Sequence, residues 1–166
     1  MSNKIINIKN IDEVLKNFKY KKKKIILCHG VFDLLHIGHL KHFESSKKFG
    51  DVLIVSVTPD KFINKGINRP YFNITQRLEA LSALQAIDFV LVNNSPNAVD
   101  VIKKIKPDFY CKGPDYKNYG KDITGEIKNE LLAVKKCGGV LKITSEPAFS
   151  SSNLINKFDE NLSPIQ

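Results

Sequence analysis

Short apolar runs rich in β-branched residues alternate along this chain with longer stretches in which apolar positions recur every three or four residues. The runs Ile25–Cys28, Val52–Val57, Phe89–Val92, Phe109–Cys111 and Val140–Ile143 predict five short strands buried on both faces. Between them, helical spacing predicts helices over residues 38–49, 73–83, 98–105 and 124–137, with Gly50 closing the first and Gly138-Gly139 the last. An amphipathic helix over residues 6–18 (Ile8, Ile11, Val14, Leu15, Phe18) precedes the first strand, and a final helix is expected from Ser152 to Phe158.

Regular alternation of strand and helix predicts an α/β fold: a Rossmann-like, doubly wound parallel sheet of five strands joined by right-handed crossovers. Ligands of such sheets bind at the carboxyl ends of the strands. No linker rich in Pro, Gly or Ser divides the chain and no repeat recurs. The expectation is one domain over residues 1–166, with a helical N-terminal extension (1–23) and a core over 24–158.

Composition narrows the class. With 166 residues and 42% hydrophobic side chains the chain can bury a core without disulfides or structural metal. No apolar run exceeds about five residues, against the roughly 20 of a membrane span, and the start carries no apolar signal core, so a cytoplasmic protein with no membrane partner is expected. Cys28, Cys111 and Cys137 form no Cys-x-x-Cys pair, which disfavours a disulfide framework and a zinc knuckle. Net charge is +9, carried almost wholly by lysine, since Arg69 and Arg77 are the only arginines. Such a surface attracts phosphates of any kind. The run Lys21 to Lys24 has neither arginine nor aromatics interleaved, so it reads as a solvated loop before a strand and no nucleic-acid partner is expected.

The chemistry concentrates between His29 and His42, where all four histidines fall. His29-Gly30-Val31-Phe32-Asp33-Leu34-Leu35-His36-Ile37-Gly38-His39 follows the first strand directly and opens the first long helix of the core. A helix N-terminus presents unpaired N–H groups and partial positive charge to an anion. Gly30 and Gly38 permit close approach of backbone to ligand. His36 and His39, three apart on the opening turn, can point at one phosphate. A metal on His36, His39 and His42 is disfavoured because carboxylate or thiolate partners are missing, so no protein metal ligand is assigned. His29 and His42 read as packing or surface residues.

These residues resemble the signature Gly-x-Phe-Asp-x-x-His-x-Gly-His of the cytidylyltransferase-like nucleotidyltransferase superfamily. The likeness continues in Lys65-Gly66-x-x-Arg69-Pro70, in Thr75-Gln76-Arg77-Leu78-Glu79-Ala80-Leu81, in Lys112-Gly113-Pro114-Asp115-Tyr116 and in Phe149-Ser150-Ser151-Ser152-Asn153-Leu154-Ile155, so that it covers residues 24–158. Within the superfamily the chain is most similar to the adenylyltransferase half of bifunctional heptose-phosphate kinase/adenylyltransferases. Glycerol-3-phosphate cytidylyltransferases are similar but more distant. Their Arg-Thr-x-Gly element is replaced here by Ser145-Glu146-Pro147-Ala148, which tilts the base toward adenine.

The resemblance implies transfer of a nucleoside monophosphate from ATP or CTP to a sugar phosphate such as heptose 1-phosphate, with release of pyrophosphate. The alternative it implies is a cytidylyltransferase acting on glycerol 3-phosphate or another polyol or amino-alcohol phosphate. It implies His36, His39, Lys65 and Arg77 as catalytic residues. Nucleotide contacts fall to Gly30, Val31, Phe32, Asp33, Gly38, Lys112, Gly113, Asp115, Ser150, Ser151 and Ser152. Mg²⁺ on the triphosphate and a homodimer are implied as well.

Two other classes are weaker. His36-Ile37-Gly38-His39 also resembles the signature of class I aminoacyl-tRNA synthetases, but no Lys-Met-Ser-Lys-Ser element occurs and the length leaves no room for a tRNA-binding domain. A non-catalytic nucleotide-binding module is disfavoured by the intact His36, His39, Lys65 and Arg77. A P-loop or a Gly-x-Gly-x-x-Gly motif is absent, which excludes a P-loop kinase and a typical dinucleotide dehydrogenase.

Overall fold

The five expected strands are all present and all parallel. β1 (Ile25–Gly30), β2 (Val52–Val57), β3 (Phe89–Val92), β4 (Phe109–Lys112) and β5 (Val140–Ile143) form one sheet in the order β3-β2-β1-β4-β5. The computed structural model describes residues 3–64, 66, 68–117 and 126–145. Among the described residues five α-helices connect and cover the sheet: α1 (Ile11–Tyr20), α2 (Ile37–Lys47), α3 (Ile74–Ser82), α4 (Val99–Ile105) and α5 (Glu126–Lys136).

Alternation along the strands divides the core in two, because successive side chains point to opposite faces. Ile25, Leu27, Val52, Ile54, Leu91 and Tyr110 pack under α1, α4 and α5, where Ile11, Leu15, Ile102, Ile105 and Val134 meet them. Ile26, Cys28, Leu53, Val55, Val57 and Cys111 pack on the other face, with Phe43 of α2 and Leu78 and Leu81 of α3. The chain therefore switches faces between β1 and β4, and the crevice at their carboxyl ends is where such sheets hold ligands.

Several boundaries differ from the pattern reading for physical reasons. The helix expected over residues 6–18 begins later, with a 3-10 turn at Ile8–Asn10 followed by α1. Residues before it run beside β3: the Ile6 N–H donates to the Val90 carbonyl at 2.9 Å and the Val90 N–H to the Lys4 carbonyl at 2.8 Å, which pairs an otherwise open sheet edge. β1 and β4 run on to Gly30 and Lys112 because their ladders continue, Gly30 opposite Val57 and Lys112 opposite Ile143, whatever the polarity of the side chain. α3 starts where Asn73 accepts the Gln76 N–H and Gln76 answers to the Asn73 N–H, a reciprocal cap.

Part of the lysine run has a local job. Lys23 pairs with Asp51 at 3.1 Å and Lys24 with Asp108 at 2.8 Å, and the same carboxylates accept the N–H groups of Lys24 and Ile25 where β1 begins. Cys28, Cys111 and Cys137 are free thiols. Among the described residues no helix is long and apolar enough to cross a membrane. The helix expected from Ser152 to Phe158 lies outside the described residues.

Candidate active site

The turn from β1 into α2 is shaped by one aromatic ring. Phe32 takes φ 50°, a conformation costly for a bulky residue, and its ring folds back over Gly30. A Cβ at Gly30 would lie 2.9 Å from Phe32 Cζ, so any other residue there requires the ring to shift. From there the Phe32 ring packs on Phe43 at 5.2 Å and meets the His39 ring edge-on at 5.4 Å.

His36 caps the helix that follows. Its backbone is extended (φ −138°, ψ 170°) and its Nδ1 accepts the Gly38 N–H at 3.1 Å, the task that Ser or Asp performs at most helix starts. An Nδ1 that accepts leaves the proton of the neutral ring on Nε2. Partial burial lowers the His36 pKa, which favours that neutral form. One helical turn on, the His39 ring stacks on His36 with centroids 3.9 Å apart and planes 21° apart. Two imidazoles thus stand together at the N-terminus of α2, where helix N–H groups already favour an anion.

Both arginines of the chain lie beneath this turn. Arg77, on α3, is 1% exposed. Its Nε donates to the Phe72 carbonyl at 3.0 Å, one terminal nitrogen to the carbonyls of Val31 (2.5 Å) and Thr58 (2.9 Å), and the other to Asp60 Oδ1 at 2.5 Å. Four of its five N–H donors therefore hold the chain itself. Asp33, also buried, accepts the N–H groups of Tyr71 (3.1 Å) and Phe72 (2.9 Å) and pairs with Arg69 Nε at 3.2 Å. The direct contacts with phosphate or nucleotide expected of Arg77 and Asp33 are not what this placement offers. Their side chains point inward and clamp the turn against the segments after β2 and before α3.

Lys112 and Gly113 lie at the carboxyl end of β4, the strand beside β1. The Lys112 ammonium lies 3.1 Å from Glu130 Oε2 and over the rings of Tyr110 (5.2 Å) and Tyr116 (4.6 Å). Burial opposes ionisation of Glu130, but Lys112, the Ala98 N–H and the Tyr110 hydroxyl outweigh it and hold the carboxyl below its usual range. His29 lies on the same face, hydrogen-bonded to Ser56 Oγ at 2.9 Å. Burial, with the nearby Lys112 charge, brings its pKa down to about 4. His42 reaches the end of β5, where its Nδ1 lies 2.9 Å from Thr144 Oγ1.

The structure thus gathers Gly30, Val31, Phe32, Asp33, His36, Gly38, His39 and Arg77 around one turn, and sets Lys112 and Gly113 across the crevice. Asp115 falls in the 3-10 turn Pro114–Lys117. Lys65, Ser150, Ser151 and Ser152 lie outside the described residues. Among the described residues no group of three or more His, Cys, Asp or Glu side chains is placed to hold a metal ion. Asp60, paired with Arg77, and Glu130, paired with Lys112, border these residues and were not picked out in the sequence. Glu130 carried a signal, a carboxylate on the buried stripe Ile127, Glu130, Val134 of α5.

Comparison with known proteins bears on the family and the fold. The cytidylyltransferase-like family model matches residues 27–157. The Bifunctional protein HldE of Sulfurimonas denitrificans is 39% identical over 133 residues, covering 78% of this chain and 28% of that protein. That of Aliarcobacter butzleri is 35% identical over 166 residues, covering 96% and 33%. The chain spans about a third or less of the length of these curated relatives. Among solved structures, the lipopolysaccharide core biosynthesis protein from Thermoplasma volcanium superimposes with a TM-score of 0.59 at 26% identity, covering 77% of this chain and 99% of that one.

Proposed function

This chain belongs to the cytidylyltransferase-like family of nucleotidyltransferases, and from that premise we propose that it transfers the nucleoside monophosphate of ATP or CTP to a sugar phosphate, with heptose 1-phosphate the leading acceptor. The observation that carries this reading is the stacked pair His36 and His39 at the N-terminus of α2, at the carboxyl end of the central strand.

The reaction sets clear physical demands. An oxygen of the acceptor phosphate attacks the α-phosphorus, the bond from that phosphorus to the bridging oxygen breaks, and pyrophosphate leaves. A phosphate monoester with a second pKa near 6 is already ionised at neutral pH, so no general base is required. The site has to hold two polyanions in line and stabilise charge that grows on the α-phosphoryl oxygens and the leaving group.

The residues suit those demands. The neutral His36 ring, its Nδ1 engaged by Gly38, presents an Nε2–H donor, and His39 stands beside it. Lys65 and the N–H groups near Ser150, Ser151 and Ser152 are assigned to the triphosphate by the family likeness. Arg77 and Asp33 act as positioning residues that keep the turn in shape. Mg²⁺ enters as part of the nucleotide substrate and neutralises phosphate charge there, as is common where few protein ligands are available. A homodimer belongs to the same proposal.

The test is a matrix of the four nucleoside triphosphates against phosphorylated sugars, polyols and amino alcohols, read by pyrophosphate release. Release that requires a sugar 1-phosphate with ATP or CTP supports the reading. Release with a polyol or amino-alcohol phosphate alone replaces the acceptor, and no release with any pair overturns the function.

A further inference from the structure

Glu130 receives three donors. Its Oε1 accepts the Ala98 N–H at 3.0 Å, while its Oε2 accepts the Tyr110 hydroxyl at 2.8 Å and lies 3.1 Å from the Lys112 ammonium. The side chains of Lys112 and Glu130 are 6% and 5% exposed. An ion pair so buried is poor evidence of stabilisation, because removing two charges from water costs several kcal/mol per ion and an apolar pair of similar volume often serves the fold as well. Carboxylates are seldom found fully buried unless they are paired in this way.

Three features of the surroundings suggest a reason to keep the pair. Lys112 ends β4 in the crevice where the sheet switches faces, so the pair lies at the ligand end of the molecule. The ammonium lies over two rings, that of Tyr116 from the turn after β4 at 4.6 Å and that of Tyr110 at 5.2 Å. Glu130 also reaches across to the start of α4, where Ala98 offers no side-chain cap of its own, so one carboxylate ties α4, α5 and β4 together. A flexible lysine stem is thereby held in one place before any ligand arrives, which lowers the ordering cost on binding.

We infer that Glu130 is a positioning residue for nucleotide binding: it fixes the Lys112 ammonium in the crevice between β1 and β4, and through Lys112 the ring of Tyr116, so that a nucleoside triphosphate meets a charge already in place. The inference rests on the nucleotidyltransferase reading above.

The experiment is a double-mutant cycle on the whole chain with Glu130→Gln, Lys112→Met and the pair, reading KM for the nucleoside triphosphate and kcat separately. Glu130→Gln raises KM about tenfold with kcat within about threefold, Lys112→Met does the same, and the pair is no worse than Lys112→Met alone. An unchanged KM in Glu130→Gln, or effects that multiply to about a hundredfold in the pair, overturns the inference, because a carboxylate acting only on the fold lowers melting temperature and active fraction without moving KM. If Glu130→Gln does not fold, Glu130→Asp keeps the charge but withdraws it by one methylene; a KM raised about threefold supports the inference and an unchanged KM overturns it. If the wild type releases no pyrophosphate from any nucleotide, the proposed function fails separately. Equilibrium binding of ATP and CTP to wild type and Glu130→Gln then decides the role of Glu130: weakening of about tenfold supports it and equal affinity overturns it.

Discussion

The imidazoles of His36 and His39 stack face to face, with centroids 3.9 Å apart and planes 21° apart. At that distance the two rings cannot both take up a proton without strong repulsion, and burial already lowers the His36 pKa. In the proposed reaction the pair would serve as neutral or singly charged donors to a phosphoryl group. His39→Ala is expected to lower kcat by about 10²- to 10³-fold, as for loss of one transition-state donor, with melting temperature little changed. Steady-state kinetics with the best nucleotide and acceptor pair checks this, and turnover that survives removes His39 from the mechanism.

Arg77 is expected to behave as a scaffold residue. Arg77→Met leaves the carbonyls of Val31, Thr58 and Phe72 and the carboxylate of Asp60 without their donor. Asp60, 40% exposed, can turn to water, but each carbonyl left buried without a donor costs about 1–3 kcal/mol, so stability is expected to fall. Urea denaturation at neutral pH measures it. Native stability with a selective rise in KM for the triphosphate would instead mark Arg77 as a ligand contact.

Much of this arrangement was legible in the chain before any fold was known. The strands, their parallel order-forming alternation with helices, and the Gly-x-Phe-Asp-x-x-His-x-Gly-His turn all follow from local patterns, since β-branched runs and i, i+3 spacing act over a few residues. The work of Arg77 and Asp33 did not follow. Both are charged residues near a phosphate motif, and in a linear reading a charge near such a motif suggests a ligand contact. Their partners, Val31 and Thr58 for one and Tyr71 and Phe72 for the other, lie 19 to 46 positions away, so only the folded chain shows the charges turned inward. His42 likewise reads as a packing or surface residue until β5 brings Thr144 beside it.

Asp33→Ala leaves the N–H groups of Tyr71 and Phe72 and the buried Arg69 guanidinium without their acceptor. Stability is expected to fall by about 3–5 kcal/mol, and the 69–72 turn to become a site of rapid limited proteolysis. An unchanged cleavage pattern would show that Arg69 and Asp33 do not hold that turn.

His29 links stability to pH. Its folded pKa, about 4, lies below the ordinary value of 6.5, chiefly through burial and then through the charge of Lys112. The unfolded chain binds the proton more readily, so this contribution is fully present above pH 6.5, declines as pH falls toward 4, and is gone below it. The shift corresponds to about 3 kcal/mol. Denaturation curves between pH 7 and pH 4 are expected to lose roughly that much in the wild type relative to His29→Gln. Parallel pH dependence in the two proteins would show that His29 stays solvated.

The proposed function places the α-phosphoryl group against His36 and His39, where β1 turns into α2. A crystal structure with a non-hydrolysable nucleoside triphosphate tests it most directly. Oxygens of the α-phosphate are expected within about 3 Å of ring nitrogens of both histidines. An α-phosphate bound away from both rings would contradict it.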